Sequence, residues 1–386
     1  MAASFVFLQQ ILCYILRYRK NVVLLQKNEY MKNLRIIVLS VWCIAYGTLC
    51  TAATPFPKTA ADSVILDAIQ KDSIIPGAVL CVVENGEISY LQAYGNRAVV
   101  PAQEAMTTNT IFDLASVSKP TGAGSAALLL CAEGKLNVND YVAQYIPQYH
   151  SDVQIRHLMT HYSGLPAYMT ATRLDSIYLA RGVEMARAKF TIDTIARCKR
   201  PSAVGEKYRY SCLNFISLQK VVEAIVGEDI NTYMRYKLYR PLGNSTMGWL
   251  PADSLYDRIA PTECIDDICI LGDVHDPLAR IMMTGVSGNA GVFATAEEVA
   301  YWAIWFMNLP EETRINGCNA GLWTDSVSTS TGSFTQSCRH TGYTGTSVTI
   351  LPEEKRAVIL LTNRVHPKDE HNLAPLRRAL NNMLTP

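Results

Sequence analysis

The chain has 386 residues, 49% hydrophobic and 18% charged, with 35 Lys and Arg against 34 Asp and Glu and a net charge of +1. That composition supplies enough apolar material for a sizeable core. So even a balance excludes a basic nucleic-acid-binding protein and an acidic disordered tail, and no nucleic-acid partner is expected.

Residues 1–30, with the largely apolar run Phe5 to Leu16, read as an upstream extension ahead of a start at Met31; a membrane anchor is the alternative. Met31 to Arg35 is short and positive, Ile36 to Leu49 almost wholly apolar, and Cys50 to Thr54 small. This is the order of a secretory signal peptide over 31–53, cleaved after Ala53, and its apolar run is too short for a membrane span. A lipoprotein signal acylated at Cys50 is a second reading, although Leu49 sits where a small residue is wanted. Both readings place the mature protein outside the cytoplasm, periplasmic or secreted, with any membrane association made through the N-terminus. Beyond the leader lie Cys81, Cys131, Cys198, Cys212, Cys264, Cys269, Cys318 and Cys338. An oxidising compartment permits disulfides, and Cys264 and Cys269 are close enough for a small loop bridge. The spacing matches no zinc-ligand set, and most of these cysteines read as small buried hydrophobes.

Thr54 to Lys58 carries two prolines and reads as a linker, 54–60, into a domain over 61–386. The spacing of Val64, Ile65, Ala68 and Ile69 predicts a helix from Ala60 to Lys71. Two β-rich runs, Ala78 to Glu84 and Ile88 to Tyr94, flank Asn85-Gly86, a hairpin signal. Residues 121–133 are rich in Ala, Gly and Leu and predict a helix buried on most sides, with Gly134 as its C-cap. From 135 to about 285 helices and irregular loops prevail, including Leu218 to Val226 and Ile230 to Leu238. Strands return at Thr346 to Leu351 and Arg356 to Thr362, and Ala374 to Leu384 closes the chain as an amphipathic helix. The expected fold is α/β (α+β): an antiparallel sheet flanked by helices, built from about 61–118 and 287–386, with a mostly helical region over 119–286.

Ser116-Val-Ser-Lys119 is an S-x-x-K pattern. On the first turn of a helix, residues three apart share a face, so the Lys119 ammonium reaches the Ser116 hydroxyl. A serine needs a neighbouring base to become a nucleophile, and a lysine serves when burial or a nearby cation lowers its pKa. Pro120 suits a first turn, which has no use for its missing N–H. The pattern is loose, and Ser217-Leu-Gln-Lys220 matches it too, but on the polar face of a helix.

The surroundings of Ser116 are more specific. Ile111-Phe-Asp-Leu-Ala-Ser-Val-Ser-Lys119 resembles the nucleophile segment of the serine β-lactamase and penicillin-binding-protein superfamily, in its class C-related branch with D-alanyl-D-alanine carboxypeptidases and esterases. Leu158 to Pro166, Tyr210 to Phe215, Val274 to Pro277, Gly288 to Ala296, His340 to Ser347 and Leu361 to Pro367 resemble further segments of the superfamily, in order. The resemblance implies Ser116 as nucleophile, Lys119 and Tyr210 as a shared proton pair, and an oxyanion hole from the N–H groups of Ser116 and Tyr343. It places Cys212 where an Asn or Asp would contact Lys119 and the carbonyl side of the substrate; a thiol is a poor donor and acceptor. Cys212 is also open to reading as a space-filler or as a partner of Cys198. His340 stands where Lys opens the Lys-Thr-Gly box, with Thr341 and Gly342 after it, and imidazole anchors a substrate carboxylate less firmly. Gly342 lets a substrate lie along the strand. His161, His275 and Asp276 read as hydrogen-bonding structural residues. No metal or organic cofactor is implied. The implied activity is acyl-serine hydrolysis of a D-alanyl wall peptide or a small ester. A β-lactamase and a non-catalytic wall-peptide-binding relative are the alternatives.

Overall fold

The computed structural model describes residues 54–182, 184–328 and 334–384. The extension and signal peptide expected over 1–53 lie outside the described residues, save for the linker from Thr54 onward. Among the described residues no helix is long and apolar enough to cross a membrane.

The helices are α1 (Lys58–Gln70), α2 (Ser125–Ala132), α3 (Ile155–Met159), α4 (Ala171–Ala180), α5 (Arg187–Arg197), α6 (Cys212–Val226), α7 (Ile230–Met234), α8 (Ala296–Asn308), α9 (Glu311–Asn316) and α10 (Ala374–Leu384). The strands are β1 (Gly77–Glu84), β2 (Glu87–Ala98), β3 (Glu104–Ala105), β4 (Phe112–Asp113), β5 (Cys264–Ile265), β6 (Ile268–Cys269), β7 (Phe293–Ala294), β8 (Trp323–Ser328), β9 (Phe334–Thr341), β10 (Ser347–Leu351) and β11 (Arg356–Thr362). Seven of them form one antiparallel sheet in the order β3-β2-β1-β11-β10-β9-β8. The chain ends therefore interleave: β1 from the N-terminal side pairs with β11 from the C-terminal side. This is the expected fold class, with helices filling the middle of the sequence.

Local chemistry explains these elements. Asn85 and Gly86 adopt φ of 55° and 78°, the left-handed pair that a two-residue hairpin turn requires, and β1 folds back on β2 there. β1 and β11 are buried on both faces, which is why they read as unbroken apolar runs rather than alternating ones. One face of the sheet, through Val79, Cys81, Ile350 and Ile359, packs on Trp302 and Phe306 of α8 and joins the main core. The other face, through Leu80, Val82 and Leu360, packs on Ile65 of α1 and on Leu376, Leu380 and Leu384 of α10. Those three leucines recur every four residues, the period of one helix face.

Two features depart from the sequence reading. The segment at 121–133 is not a uniform α-helix. A 3-10 turn, Ala115–Val117, and a π-turn, Lys119–Gly124, precede α2. Strand β8 and helix α8 are additions. The Cys264–Cys269 disulfide closes the small β5–β6 hairpin, whereas Cys198 and Cys212 are free thiols and do not pair.

Candidate active site

Ser116 sits where β4 ends. The 3-10 turn Ala115–Val117 runs straight into the π-turn that opens at Lys119, which puts residues 116 and 119 on one side of the chain. Lys119 Nζ lies 2.9 Å from Ser116 Oγ and donates to it, and also donates to the main-chain oxygen of Asn289 at 2.9 Å. Ala115, just before, has φ of 45°, a left-handed conformation that costs about 1 kcal/mol or more in a non-glycine residue. The buried Asp113 carboxylate holds it there. Its oxygens accept from the N–H of Ala115 and of His275, each at 2.8 Å. Thr344 and Thr346 hydroxyls bond the carbonyls of Asp113 and Leu114, so the turn after β9 is laced to the turn bearing Ser116. That lacing needs Gly342: a Cβ there would fall 2.5 Å from the Leu114 oxygen and 2.1 Å from Thr346 Oγ1. Close backbone approach is thus the structural reason for this glycine.

Tyr210 and Cys212 arrive at the N-terminus of α6. The Leu158–Pro166 segment clamps that terminus. His161 Nδ1 accepts from the Ser211 N–H at 3.2 Å and lies 3.1 Å from Asn214 Nδ2, and Ser211 Oγ donates to the Pro166 oxygen. The proton of the neutral His161 ring is therefore on Nε2, which is buried without a partner. Its ring packs 4.6 Å from that of Tyr210. The Tyr210 ring in turn lies 5.0 Å from Lys119 Nζ.

Lys119 is fully buried. Burial works against its charge, but Cys212 and Tyr210, with Asp276 beyond them, outweigh that and hold its pKa above the ordinary lysine value. Burial pushes the Cys212 thiol up against the opposing pull of Lys119. His340 is fully buried on β9, its ring stacked 4.4 Å from that of Trp323. Burial, then Lys119 and His161, hold its pKa well below the ordinary imidazole value. It is therefore neutral, and it offers no cation to a substrate carboxylate.

A cleft of about 510 Å³ opens over these groups. Of the residues singled out in the sequence, Ser116, Tyr210, Thr341, Gly342 and Tyr343 line it. Lys119, Cys212 and His340 stand behind its wall. Arg377 donates to the carbonyl oxygens of Gly342 and Thr346, and Arg364 to that of Tyr343. These bonds engage the main-chain carbonyls of the turn after β9. Trp323, Arg364, Arg377 and Asn289 were not singled out in the sequence. Asn289 and Arg364 do fall inside quoted segments, at 288–296 and 361–367. A larger groove, about 640 Å³, lies between β8–β10 and α10 and shares Trp323, Thr341 and Arg377 with the cleft. It holds neither the hydroxyl nor the amine, so the chemistry belongs to the smaller cavity.

The family model described as beta-lactamase matches residues 65–382, most of the chain. The chain belongs to the beta-lactamase family. It is a serine hydrolase. It is 27% identical over 352 residues to an N-acetylmuramyl-L-alanine amidase of Bacillus subtilis, covering 75% of this chain and 78% of that one. It is 27% identical over 358 residues to a putative D-alanyl-D-alanine carboxypeptidase of Escherichia coli O157:H7, covering 77% and 80%. Among solved structures, EstCE1, a hydrolase with promiscuous acyltransferase activity, matches with a TM-score of 0.65 at 19% identity, over 85% of this chain and 98% of that one. At that identity the likeness shows the fold alone.

Proposed function

We propose that this beta-lactamase-family protein is an exported hydrolase that works through an acyl-Ser116 intermediate on D-alanyl peptides or small esters. The observation that carries the reading is the 2.9 Å bond between Lys119 Nζ and Ser116 Oγ, with the Tyr210 phenol beside the same amine. The Lys119–Tyr210 pair takes the Ser116 proton as Oγ attacks the substrate carbonyl carbon. Negative charge gathers on the carbonyl oxygen between the N–H groups of Ser116 and Tyr343, where such donors are worth about 3 kcal/mol each. The pair then returns its proton to the departing amine or alcohol, leaving an acyl-serine. Water adds to that ester, giving up its proton to the pair, and Ser116 is released with the proton restored.

The Cys264–Cys269 disulfide and the leader-like sequence ahead of Thr54 support action outside the cytoplasm. The relatives' names, an N-acetylmuramyl-L-alanine amidase and a putative D-alanyl-D-alanine carboxypeptidase, favour a wall peptide. Neutral His340 and the thiol of Cys212 weaken the polar grip that a β-lactam would need. Turnover of p-nitrophenyl butyrate and of a D-Ala-D-Ala peptide, each compared with Ser116→Ala, tests the reading. Loss of more than about 10³-fold with either substrate is expected; unchanged turnover in the variant contradicts it.

A further inference from the structure

Strands β9 and β10 differ between their two faces. Cys338, Val348 and Ile350 belong to the main core. Ser337, Arg339, Thr341, Ser347 and Thr349 alternate with them and take the other side, Thr341 opposite Ser347 and Arg339 opposite Thr349. Toward the middle of the sheet that same side is apolar, with Leu80, Val82 and Leu360 packed on α1 and α10. At the β8–β10 end it carries hydroxyls and charge, and there it forms one wall of the groove of about 640 Å³.

A polar sheet face open to water needs no further account. This one is covered. Ser337, Ser347 and Thr349 are 3%, 9% and 6% exposed, with α10 as the opposite wall. Their hydroxyls meet no hydrogen-bond partner among the described residues. Covered polar groups of this kind are satisfied by what enters. The charges are unsatisfied in the same way. Among the described residues one carboxylate, Asp325, lines the groove, and Arg339 holds it at 2.6 Å. Arg377 donates to the carbonyls of Gly342 and Thr346, and its Nε is buried without a partner. Arg378 is exposed on the same wall and has no carboxylate partner among the described residues. Two guanidiniums of the lining thus lack an anion, beside hydroxyls that lack a partner.

We propose that this groove is a second subsite, which takes the upstream, carboxylate-bearing part of a peptide whose terminal bond lies in the cleft at Ser116. The two cavities meet along Trp323, Thr341 and Arg377. Arg377 and Arg378 attract the carboxylates, and the hydroxyls of Ser337, Ser347 and Thr349 bond the peptide's amides. The inference rests on the peptide reading above and narrows it to acidic peptides.

The test separates binding from turnover. Full-length Ser116→Ala is titrated by fluorescence anisotropy with two pentapeptides that end in D-Ala-D-Ala and carry the same fluorophore, one with two upstream glutamates, the other with two glutamines. The glutamate peptide is expected to bind about tenfold or more tighter at low salt, a preference that shrinks at high salt. Arg378→Glu in the same background is expected to abolish the preference, and Arg378→Gln to reduce it. Thr349→Val replaces a hydroxyl with a methyl group and is expected to weaken both peptides alike, by about threefold or more. With Ser116 present, Arg378→Glu is expected to raise KM for the glutamate peptide with kcat little changed. Turnover of p-nitrophenyl butyrate, which needs the cleft alone, reports that the catalytic groups are intact in each variant. Equal binding of the two peptides, no binding of either, or a preference that survives Arg378→Glu overturns the inference. Ester turnover unchanged by Ser116→Ala overturns the acyl-serine reading instead, and the titration still judges the groove.

Discussion

The turn that carries Ser116 and the turn that carries Tyr343 share one cleft, yet they are held by different forces. Around Ser116 the fixing bonds are buried or partly buried: the Asp113 carboxylate to two N–H groups, Thr344 and Thr346 to main-chain carbonyls, Lys119 to the Asn289 oxygen. Around Tyr343 the fixing groups are charged and closer to water. Tyr343 is 58% exposed; its ring stacks on His275 and lies under the Arg364 guanidinium, and its hydroxyl donates to Asp369. Arg364 is itself paired with Asp369. Bonds shielded from water set geometry and resist salt, whereas ion pairs nearer the rim are screened and adjust to what binds. The chemistry thus rests on the rigid side and recognition on the adjustable one.

Three perturbations sharpen that contrast. The largest effect is expected from Asp113→Ala, which strands the N–H groups of Ala115 and His275 in the interior. Denaturant unfolding should show a loss of about 2–4 kcal/mol, and kcat should fall as Ala115 leaves its left-handed conformation. An unchanged midpoint with full activity would mean the turn is held some other way.

Acidification comes next. Burial, then the Lys119 charge, lower the His161 pKa to about 3, and the buried His340 is held low as well. The unfolded chain takes up these protons near the ordinary histidine value of about 6.5, while the folded state refuses them until far lower pH. Between those limits the unfolded state binds more protons, so stability is full above about pH 6.5 and falls as pH drops toward 3. His161→Gln is expected to flatten the fall between pH 7 and 5; an equal slope in both proteins would remove His161 as its source. The smallest effect is expected at the rim: Arg364→Ala should change stability by less than about 1 kcal/mol and raise KM, with a salt dependence weaker than that of the wild type.

What the sequence disclosed follows the range of the interactions. Asn85-Gly86 and the leucines of α10 announce themselves because turn chemistry and helix period are local. Ser116 and Lys119 lie three residues apart, so their meeting was legible too. Strand β8, Trp-Thr-Asp-Ser-Val-Ser, is polar and lies at the sheet edge, where one side goes unpaired and no apolar alternation is needed. Helix α8 carries a local signal in its first turn, where Thr295 and Glu298 form a reciprocal capping box. Asn289 meets Lys119 across 170 residues of chain, and Trp323 meets His340 through the fold. No spacing rule reports such contacts. His340 shows the same limit from the other side: its box position suggested a substrate anchor, and only the fold reveals that it is buried and neutral.

The central claim is that Ser116 is the atom acylated. Intact-protein and peptide mass spectrometry after brief exposure to a fluorophosphonate tests it most directly. The account expects one adduct, on the peptide containing Ser116, absent in Ser116→Ala and slowed in Tyr210→Phe. An adduct on any other residue, or none on a folded protein that still turns over ester, would contradict it.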